Sequence, residues 1–569
     1  MRSIATGPVL TVRAVAGLHV VILAWDFAGP QDAKRVGLMG FAIERTDLDK
    51  EGAPARLRWL EGGKRFKSRD QDLPPGTPLP TSEHPLQTFQ WGDYTAWPGA
   101  GYRYRVVPAY GSPGLLTLDD ASATTVEVTT EREEGDIAGG GRARHDVYFN
   151  RGVAGSQAYA RKFGKVKPDP ADPGSKQMRW LSRGLFEALL GFIRRAAGDD
   201  AADHGLRAAF YEFRYRPVGD ALGDAAAKGA DVKVLYEAQT YKAHNQAMVA
   251  SAGIGGFCAP QKARAGVRHN KFIVLIRKGT PVAVWTGSTN ISTGGIFGHS
   301  NVGHVLWDDA VARHYLEYWE ALASPSVTTG RLKDRNARAE PTPDADGPPP
   351  DGRVLTLFSP RDPGGPSPTL AWYAWLLGSA RRIACMTFAF NVDPVFSEVV
   401  GGRTEALNYL LLDKAPGDAL ETEMRRNENT TIAVGAKLGA GDLEGFLGES
   451  LTGFNSNRYI HDKFMLVDPL GDDPVVVTGS ANFSGASQSA NDENMLAFCG
   501  DLRVADIYFG EFMRLFDHLY SRYLVEKLNT GGHPDPSAGY LKEDTGEWLP
   551  QHFEEGPKSR RRRYFVGEG

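Results

Sequence analysis

Cysteine is scarce in this chain, and long apolar runs are missing. Its 569 residues hold three cysteines, Cys258, Cys385 and Cys499, whose odd number and wide spacing argue against a disulfide framework or a zinc ribbon. The most signal-like run, residues 18–24 (LHVVILA), contains a histidine, and no small-residue cleavage site follows it. We interpret it as a β-strand, since no run approaches the length that a bilayer span requires. These absences predict a soluble, cytoplasmic protein.

The chain also lacks an excess of either charge. Its net charge of -4 gives no general case for nucleic acid or an anionic membrane as a partner. A content of 41% hydrophobic and 24% charged residues is ordinary for globular protein. The length is too great for one hydrophobic core, so we expect about three to four domains.

The first 130 residues predict an all-β module, in which strand-like runs alternate with loops rich in Gly, Pro and Asp. The runs are residues 18–25, 40–45, 86–91, 102–110 and 123–129. The run 102–110 (YRYRVVPAY) alternates aromatic or apolar residues with arginine, as a half-buried strand does. With Trp25, Trp91 and Trp97, this run resembles a fibronectin type III sandwich, whose penultimate strands carry a similar Y-x-Y-x-V-x-A pattern; such a fold says little about function.

Beyond a glycine-rich, charged stretch at 131–144, predicted strands and helices alternate. A proline-rich, acidic break at 337–352 suits an exposed connection. The predicted helices are 180–197, 218–229 and 370–382, and the predicted strands are 206–215, 232–236 and 383–391. The chain is therefore expected to divide into the β-module 1–130, two α/β domains at 145–335 and 353–530, and a tail at 531–569.

The two α/β halves repeat each other at positions of chemical interest. Each holds a histidine, a lysine two residues later, and a Gly-Ser-x-Asn segment that ends 21 residues after the histidine. The members are His269, Lys271, Ser288 and Asn290 in the first half, and His461, Lys463, Ser480 and Asn482 in the second. Downstream, we align Asn301 with Asn494, at an offset of 192 to 193 throughout. Such preserved register is typical of duplicated domains.

These residues resemble the H-x-K-x4-D motif of the phospholipase D superfamily with its G-S-x-N segment, over residues 145–525. The resemblance implies two α/β domains that form a pseudo-twofold pair around one site. The first motif departs from the pattern, because Ile276 replaces the aspartate that the second keeps as Asp468. On a strand, the aspartate lies an odd number of residues past the lysine and points to the opposite face. We therefore expect Asp468 to be a structural partner and the first half to remain active.

The residue types suit cleavage of a phosphodiester. Imidazole can attack phosphorus or protonate a leaving oxygen near pH 7, and two lysines can stabilise the developing charge. Asn290 and Asn482, with Ser288 and Ser480, are expected to add neutral donors. The resemblance implies a covalent phosphohistidine on the N-terminal histidine, so we assign His269 as nucleophile and His461 as general acid, then base. This chemistry requires no metal and no cofactor.

Several other residues have competing interpretations. Glu493, which we align with Ser300, is the best candidate to orient a histidine. His299, His304 and His314 suggest a metal cluster, but no carboxylates lie at matching spacing, which favours polar surface or a supporting role. Trp372, Tyr373 and Trp375 are expected to cover a core. The arginine run 560–563 is typical of a solvated tail, with a membrane surface or nucleic acid as the alternative partner.

The motif defines chemistry better than substrate, because the superfamily holds phospholipases, phospholipid synthases, nucleases and tyrosyl-DNA phosphodiesterases. Two motifs on one chain are the arrangement of the phospholipases, and we expect a monomer with peripheral membrane contact. We favour cleavage or transfer of a phospholipid head group, with a nuclease acting on DNA or RNA as the alternative. A binding or scaffold protein with a retired site is the second alternative.

Overall fold

Two seven-stranded sheets with the same strand order dominate the computed structural model of the chain. The structure describes residues 1–73, 77–135, 144–152, 156–164, 166–343, 347–363, 365–402, 404–435, 460–530 and 540–568. An antiparallel β-module precedes the two sheets. Among the described residues, no helix combines the length and apolarity that crossing a membrane would need.

The N-terminal module consists of two antiparallel sheets around a buried aromatic core. One sheet has the order β1-β2-β3-β9, and the other has the order β11-β10-β4-β5 with β12 against β10. Trp25, Phe41 and Tyr104 fill the space between them. The fibronectin type III resemblance stays a prediction. The elements are β1 (Arg2–Thr6), β2 (Leu10–Ala16), β3 (Val21–Phe27), α1 (Asp32–Arg35), β4 (Leu38–Leu48), β5 (Pro54–Trp59), β6 (Glu61–Gly62), β7 (Arg65–Phe66), β8 (Leu79–Pro80), β9 (Gln90–Asp93), β10 (Gly101–Ser112), β11 (Leu115–Leu118) and β12 (Thr124–Thr129).

The first α/β half follows as a mixed sheet with helices on both faces. Its elements are β13 (Arg144–Phe149), α2 (Ser156–Phe163), α3 (Lys176–Ser182), α4 (Leu185–Arg194), β14 (His204–Phe210), α5 (Arg216–Ala227), β15 (Asp231–Tyr236), α6 (Lys242–Ser251), β16 (Cys258–Pro260), β17 (Lys271–Arg277), β18 (Thr280–Gly287), β19 (Val302–Trp307), α7 (Asp309–Ala323) and α8 (Thr329–Ala339). The strand order is β13-β19-β18-β17-β14-β15-β16. The ladders from β13 to β14 are antiparallel, and β14-β15-β16 are parallel.

The second half repeats this arrangement. Its elements are β20 (Leu355–Ser359), α9 (Pro368–Gly378), β21 (Ile383–Phe388), α10 (Pro394–Gly401), β22 (Leu407–Leu412), α11 (Asp418–Met424), β23 (Thr430–Val434), β24 (Phe464–Val467), β25 (Val475–Gly479), α12 (Gly485–Ser489), β26 (Glu493–Cys499) and α13 (Leu502–Thr530). The order β20-β26-β25-β24-β21-β22-β23 has the same sequence of antiparallel and parallel ladders. The predicted duplication of an α/β unit is therefore present in the fold.

Helices α7 and α13 pack between the two sheets and join them into one apolar core. Tyr315 of α7 packs against Phe272 and Phe358, one residue from each sheet. Tyr508 of α13 packs against Phe149 and Phe464, again one from each sheet. Burial of such aromatic pairs favours close association of the halves.

Two predicted element boundaries were wrong. The helix predicted over 180–197 is two helices, α3 and α4, because Arg183 and Gly184 between them have positive φ angles (49° and 93°). The strand predicted over 206–215 ends at Phe210, where the chain leaves the sheet and enters the site region. The predicted burial of Trp372 and Tyr373 is confirmed, since both are fully buried.

The tail prediction also requires correction. Residues 540–568 fold back on the β-module through β27 (Tyr540–Leu541), which pairs with β7, and through α14 (Thr545–Trp548) and α15 (Pro557–Val566). The arginine run lies on α15 and only Arg563 of its four residues is exposed: Arg560 is 5% exposed and pairs with Glu405 (2.8 Å), and Arg562 pairs with Asp26. These ion pairs leave the run neither a free tail nor an open basic surface.

Candidate active site

The two histidines meet at the seam between the halves. His269 and His461 lie in the extended segments that lead into β17 and β24, at the corresponding edge of each sheet. Two parallel β-bridges cross the seam beside them, Arg268 with Asp492 and Ser300 with Ile460. Arg268 and Ile460 immediately precede His269 and His461 in the chain. Each of them pairs with the loop that follows the Gly-Ser-x-Asn segment of the other half.

His269 is held by a carboxylate from the second half. Its Nδ1 lies 2.8 Å from Oε2 of Glu493, which is fully buried. The same oxygen accepts a hydrogen bond from Ser480 (2.8 Å), and Oε1 accepts weaker bonds from Ser487 and Asn491 (both 3.3 Å). A buried carboxylate acts only as an acceptor, so Nδ1 of His269 carries the proton and Nε2 presents its lone pair.

His461 is held by an amide from the first half. Its Nδ1 lies 2.8 Å from Oδ1 of Asn301. The amide orientation is defined, because Nδ2 of Asn301 donates to the carbonyl of Gly295 (2.7 Å) and Ser288 donates to its Oδ1 (2.8 Å). Nδ1 of His461 is therefore also the donor, and Nε2 is the nitrogen available for chemistry.

The strand ladders correct the alignment of the two halves. Gly287 pairs with Gly303, and Gly479 pairs with Met495, so the offset across these strands is 192. Glu493 therefore corresponds to Asn301, and its predicted alignment with Ser300 was wrong. The halves differ at this position by a carboxylate in place of an amide, and each side chain reaches the histidine of the opposite half.

The serine hydroxyls of the two Gly-Ser-x-Asn segments, which were predicted to donate to a substrate, form hydrogen bonds within the protein. Ser288 and Ser480 donate instead to Asn301 and Glu493, and thereby orient the histidine partners. The preceding glycines permit this approach: a Cβ on Gly287 would lie 2.4 Å from the carbonyl oxygen of Val302, and one on Gly479 would lie 2.2 Å from that of Asn494. No side chain fits there, which explains the glycine in both copies.

The lysines and asparagines line the same region. Lys271 and Lys463 are buried, and each Nζ donates to the backbone carbonyl of its own histidine, at 2.6 and 2.5 Å. Burial lowers the pKa of Lys271 to about 7, although Glu493 and Glu212 oppose the shift. Asn290 donates from Nδ2 to Glu212 (3.1 Å), and no hydrogen-bond partner for its Oδ1, or for that of Asn482, is present among the described residues.

Burial and positive neighbours keep both histidines neutral in the free protein. The pKa of His269 is lowered to about 4, mainly by burial, with Glu493 raising it and Lys271 lowering it. The pKa of His461 lies well below its ordinary value because of burial, Lys463 and His299. An entering phosphodiester anion adds negative charge beside these rings and favours their protonated forms.

Two residues of the site were missed by the sequence reasoning. Tyr211 packs its ring edge-on against His269 (4.7 Å between centroids), and Nζ of Lys271 lies 5.1 Å from the Tyr211 ring centroid. Glu212 follows it and accepts from Asn290. Phe210, the last residue of β14, pairs with Lys271 of β17. If the strand predicted over 206–215 had been ended at Phe210, Tyr211 and Glu212 would have been expected just beyond it, beside His269 and Lys271.

Asp468 lies just beyond the C-terminal end of β24, away from the histidine edge. Its carboxylate accepts from the backbone N–H groups of Arg381, Arg382 and Ile383 (2.7–3.0 Å) at the far end of β24. Its replacement in the first half, Ile276, packs against the central core. The first half, with Ile276 in place of the aspartate, therefore lacks the hydrogen bonds that Asp468 accepts from backbone N–H groups. The end of the sheet that carries the histidine is unaffected.

The other histidines are dispersed. His304 bonds to His145 (2.8 Å) and Tyr508 (2.9 Å), His314 bonds to Thr356 (3.0 Å), and only His299 lies near the site, 5.7 Å from His461 between ring centroids. Within the described ranges, no three His, Cys, Asp or Glu side chains come together as metal ligands would.

Comparisons with known proteins agree with the predicted resemblance over the first half. Residues 200–323 match the family model described as cardiolipin synthase, PLD-like domain. Similar solved structures include the phospholipase D family member Nuc of Salmonella typhimurium (24% identity, 24% of this chain, 85% of that chain, TM-score 0.21). Phosphatidylserine synthase of Haemophilus influenzae is similar at 13% identity, over 71% of this chain and 98% of that chain, with a TM-score of 0.43. Yeast tyrosyl-DNA phosphodiesterase is similar at 9% identity, over 52% of this chain and 83% of that chain, with a TM-score of 0.30. No protein with a curated description matches the chain.

Proposed function

For a chain that carries a phospholipase D-like phosphodiesterase domain, we propose a double-displacement reaction at the seam between its halves, with His269 as nucleophile and His461 as general acid and base. The observation that carries this proposal is the reciprocal support of the histidines. Glu493 holds Nδ1 of His269, and Asn301 holds Nδ1 of His461, which leaves both Nε2 atoms available. Nucleophilic catalysis requires such an oriented, unprotonated nitrogen.

In the first step, Nε2 of His269 forms a bond to phosphorus while the bond from phosphorus to the leaving oxygen breaks. Nε2 of His461, which takes up a proton from solvent when the phosphodiester anion binds, gives this proton to that oxygen, which leaves as an alcohol. In the second step, a water oxygen bonds to phosphorus, the N–P bond breaks, and the proton of the water passes to His461. The buried ammonium groups of Lys271 and Lys463 bind the non-bridging oxygens and stabilise their charge.

The different partners support the division of roles. Phosphorylation of Nε2 while Nδ1 keeps its proton gives the His269 ring a positive charge, which the adjacent carboxylate of Glu493 stabilises. A neutral amide gives the imidazolium of His461 no such stabilisation. His461 is therefore the stronger acid and transfers its proton to the leaving oxygen more readily.

As substrate we propose a phospholipid whose head group is the leaving alcohol. A polyanion such as DNA binds along a surface of unpaired basic side chains. The net charge of -4 does not favour such a surface, and Arg560 and Arg562 are paired with carboxylates. The reactive groups are buried, as is suitable for a single phosphodiester that enters from one side.

The test is a side-by-side assay of phosphatidylcholine vesicles, single-stranded DNA and RNA, with His269→Ala and His461→Ala as controls. Release of head group that both variants abolish supports the proposal. Cleavage of nucleic acid alone transfers the assignment to a nuclease. Absence of cleavage of any substrate, including a generic bis-aryl phosphodiester, favours the scaffold alternative.

A bis-aryl phosphodiester also separates the two histidine roles, because an acidic phenol leaves without protonation. His461→Ala should retain release of the first phenol, whereas His269→Ala should lose it. Equal loss in both variants would contradict the assignment of His461 as the acid of the first step.

A further inference from the structure

A cavity of about 840 Å³ lies at the far end of the second sheet, away from the histidines. It forms where β1 and β2 of the N-terminal module, the loop 468–474 after β24 and the C-terminal end of α15 come together. His461 precedes β24 and Asp468 follows it, so roughly 20 Å of extended chain separates the cavity from the site. Its volume is in the range of small-molecule binding sites.

Four arginines line the cavity: Arg2, Arg13, Arg381 and Arg382. Arg2 is paired with Asp506, with 2.9 Å between Nε and Oδ1. The other three have no carboxylate within ion-pair distance in the part of the chain that the structure describes. Arg13, Arg381 and Arg382 therefore line one space without a paired carboxylate, although Asp468, Asp472 and Asp473 line it as well.

Arg13 is held by two backbone carbonyls at the cavity wall. Its Nη2 donates to the carbonyl of Leu470 (3.1 Å), and its Nη1 donates to that of Phe565 (3.4 Å). Carbonyl oxygens orient a guanidinium but do not neutralise it. Burial, together with the positive charges of Arg2 and Arg382, lowers the pKa of Arg13, although Asp506 and Asp472 oppose the shift. A bound anion would offset the charge of the Arg13 guanidinium.

The carboxylates of the cavity do not take this role. The carboxylate of Asp468 is occupied by three backbone N–H groups. Asp472 and Asp473 are exposed on the loop, where water screens their charge. An anion that enters the cavity therefore meets the arginines without displacing a buried ion pair.

The remaining wall is apolar. Trp375 of α9 lines it beside Val467 and Val566, and Ile4 of β1, which is 62% exposed, lies at its open side. An apolar surface next to guanidinium groups suits a ligand with one charged end and one apolar end.

We propose that this cavity is a second binding site, for a small ligand that joins an oxyanion to an apolar body. Arg13, Arg381 and Arg382 bind the oxyanion, which is a phosphate or a carboxylate, through charge-assisted hydrogen bonds. Trp375 and Ile4 contact the apolar body. The site is independent of the proposed reaction.

The test uses octyl phosphate, octanoate and the neutral octyl glucoside as probes in calorimetric titrations of the full chain. We expect one of the two anions to bind and the glucoside not to bind. Arg382→Gln and Arg381→Gln should each weaken binding about tenfold or more, as expected for loss of a charge-assisted hydrogen bond. The preferred anion distinguishes a phosphate ligand from a carboxylate ligand.

Arg216→Gln is the matched control, since Arg216 is an exposed arginine paired with Asp220 outside the cavity. Binding in this variant, and in His461→Ala, should equal that of the unchanged protein. Arg382→Gln should keep both its melting temperature and its phosphodiesterase rate. The proposal is overturned if neither anion binds, if the Arg381 and Arg382 variants bind as tightly as the control, or if His461→Ala abolishes binding.

Discussion

Replacement of Glu493 by glutamine changes one charge at the centre of the proposed site. The amide has the size of the carboxylate, and its oxygen in the place of Oε2 can still accept from His269 and Ser480, whereas its NH2 group in the place of Oε1 faces Nδ2 of Asn491 and loses that contact. What the substitution removes is the charge of a buried hydrogen bond of 2.8 Å to His269. Such bonds contribute about 1.5–3 kcal/mol. Because this stabilisation grows as the ring becomes positive, phosphorylation of His269 should slow by about 10- to 150-fold.

The assay is the pre-steady-state burst of phenol from a bis-aryl phosphodiester, which reports the first displacement. Glu340→Gln is the matched control, because Glu340 is also buried and pairs with Arg353 (2.7 Å) outside the site. The reasoning is refuted if Glu493→Gln keeps the full burst rate, or if Glu340→Gln reduces it equally without loss of folded protein.

Other predictions concern pH dependence and stability. Burial raises the pKa of Asp462 from its ordinary value of 3.8 to about 7. Between these two pH values the folded state holds a proton that the unfolded state has released. The free energy of unfolding therefore falls as the pH rises through this range. Asp462→Asn, which copies Asn270 of the first half, should therefore raise the free energy of unfolding measured by urea denaturation by an amount on the order of 2–4 kcal/mol at pH 8, and little at pH 4. The Lys271 ammonium, with its pKa of about 7, is lost as pH rises, so kcat/KM should fall above pH 7, and Lys271→Arg should shift that fall upward. Arg560→Ala should lower the melting temperature by several degrees in scanning calorimetry, through loss of the docked helix α15.

The chemistry of the site could be predicted from the sequence because residue types and spacings encode it directly. A histidine two residues before a lysine, repeated with the same Gly-Ser-x-Asn segment, predicted a duplicated unit, and the family resemblance implied that His269 and His461 share one site. Strand alternation also predicted a structural role for Asp468, and its contacts with three backbone N–H groups agree with that role. The repeat itself follows from residue types and spacing alone.

The partners of the histidines could not be predicted so well, because they depend on contacts across the seam. Matching Asn301 to Asn494 by residue type is reasonable in sequence, yet the ladders shift the register by one residue and match it to Glu493. A shift of one residue reverses which face a side chain occupies. Sequence spacing alone does not contain that information.

The interpretation of the arginine run failed for a related reason. A basic stretch is typical of a solvated tail unless carboxylates lie nearby in space. Those carboxylates, Glu405 and Asp26, lie 155 and 536 residues away in the chain from Arg560 and Arg562. Only the folded arrangement brings them together.

The central claim is that the reaction proceeds through a covalent bond to Nε2 of His269. Its most direct test is rapid alkaline quenching of the protein during turnover, followed by peptide mass spectrometry. We predict a substrate-derived phosphoryl adduct on the peptide that contains His269, absent from His269→Ala and accumulated in His461→Ala with an aryl substrate. Turnover without an adduct, or an adduct on His461, would contradict the account.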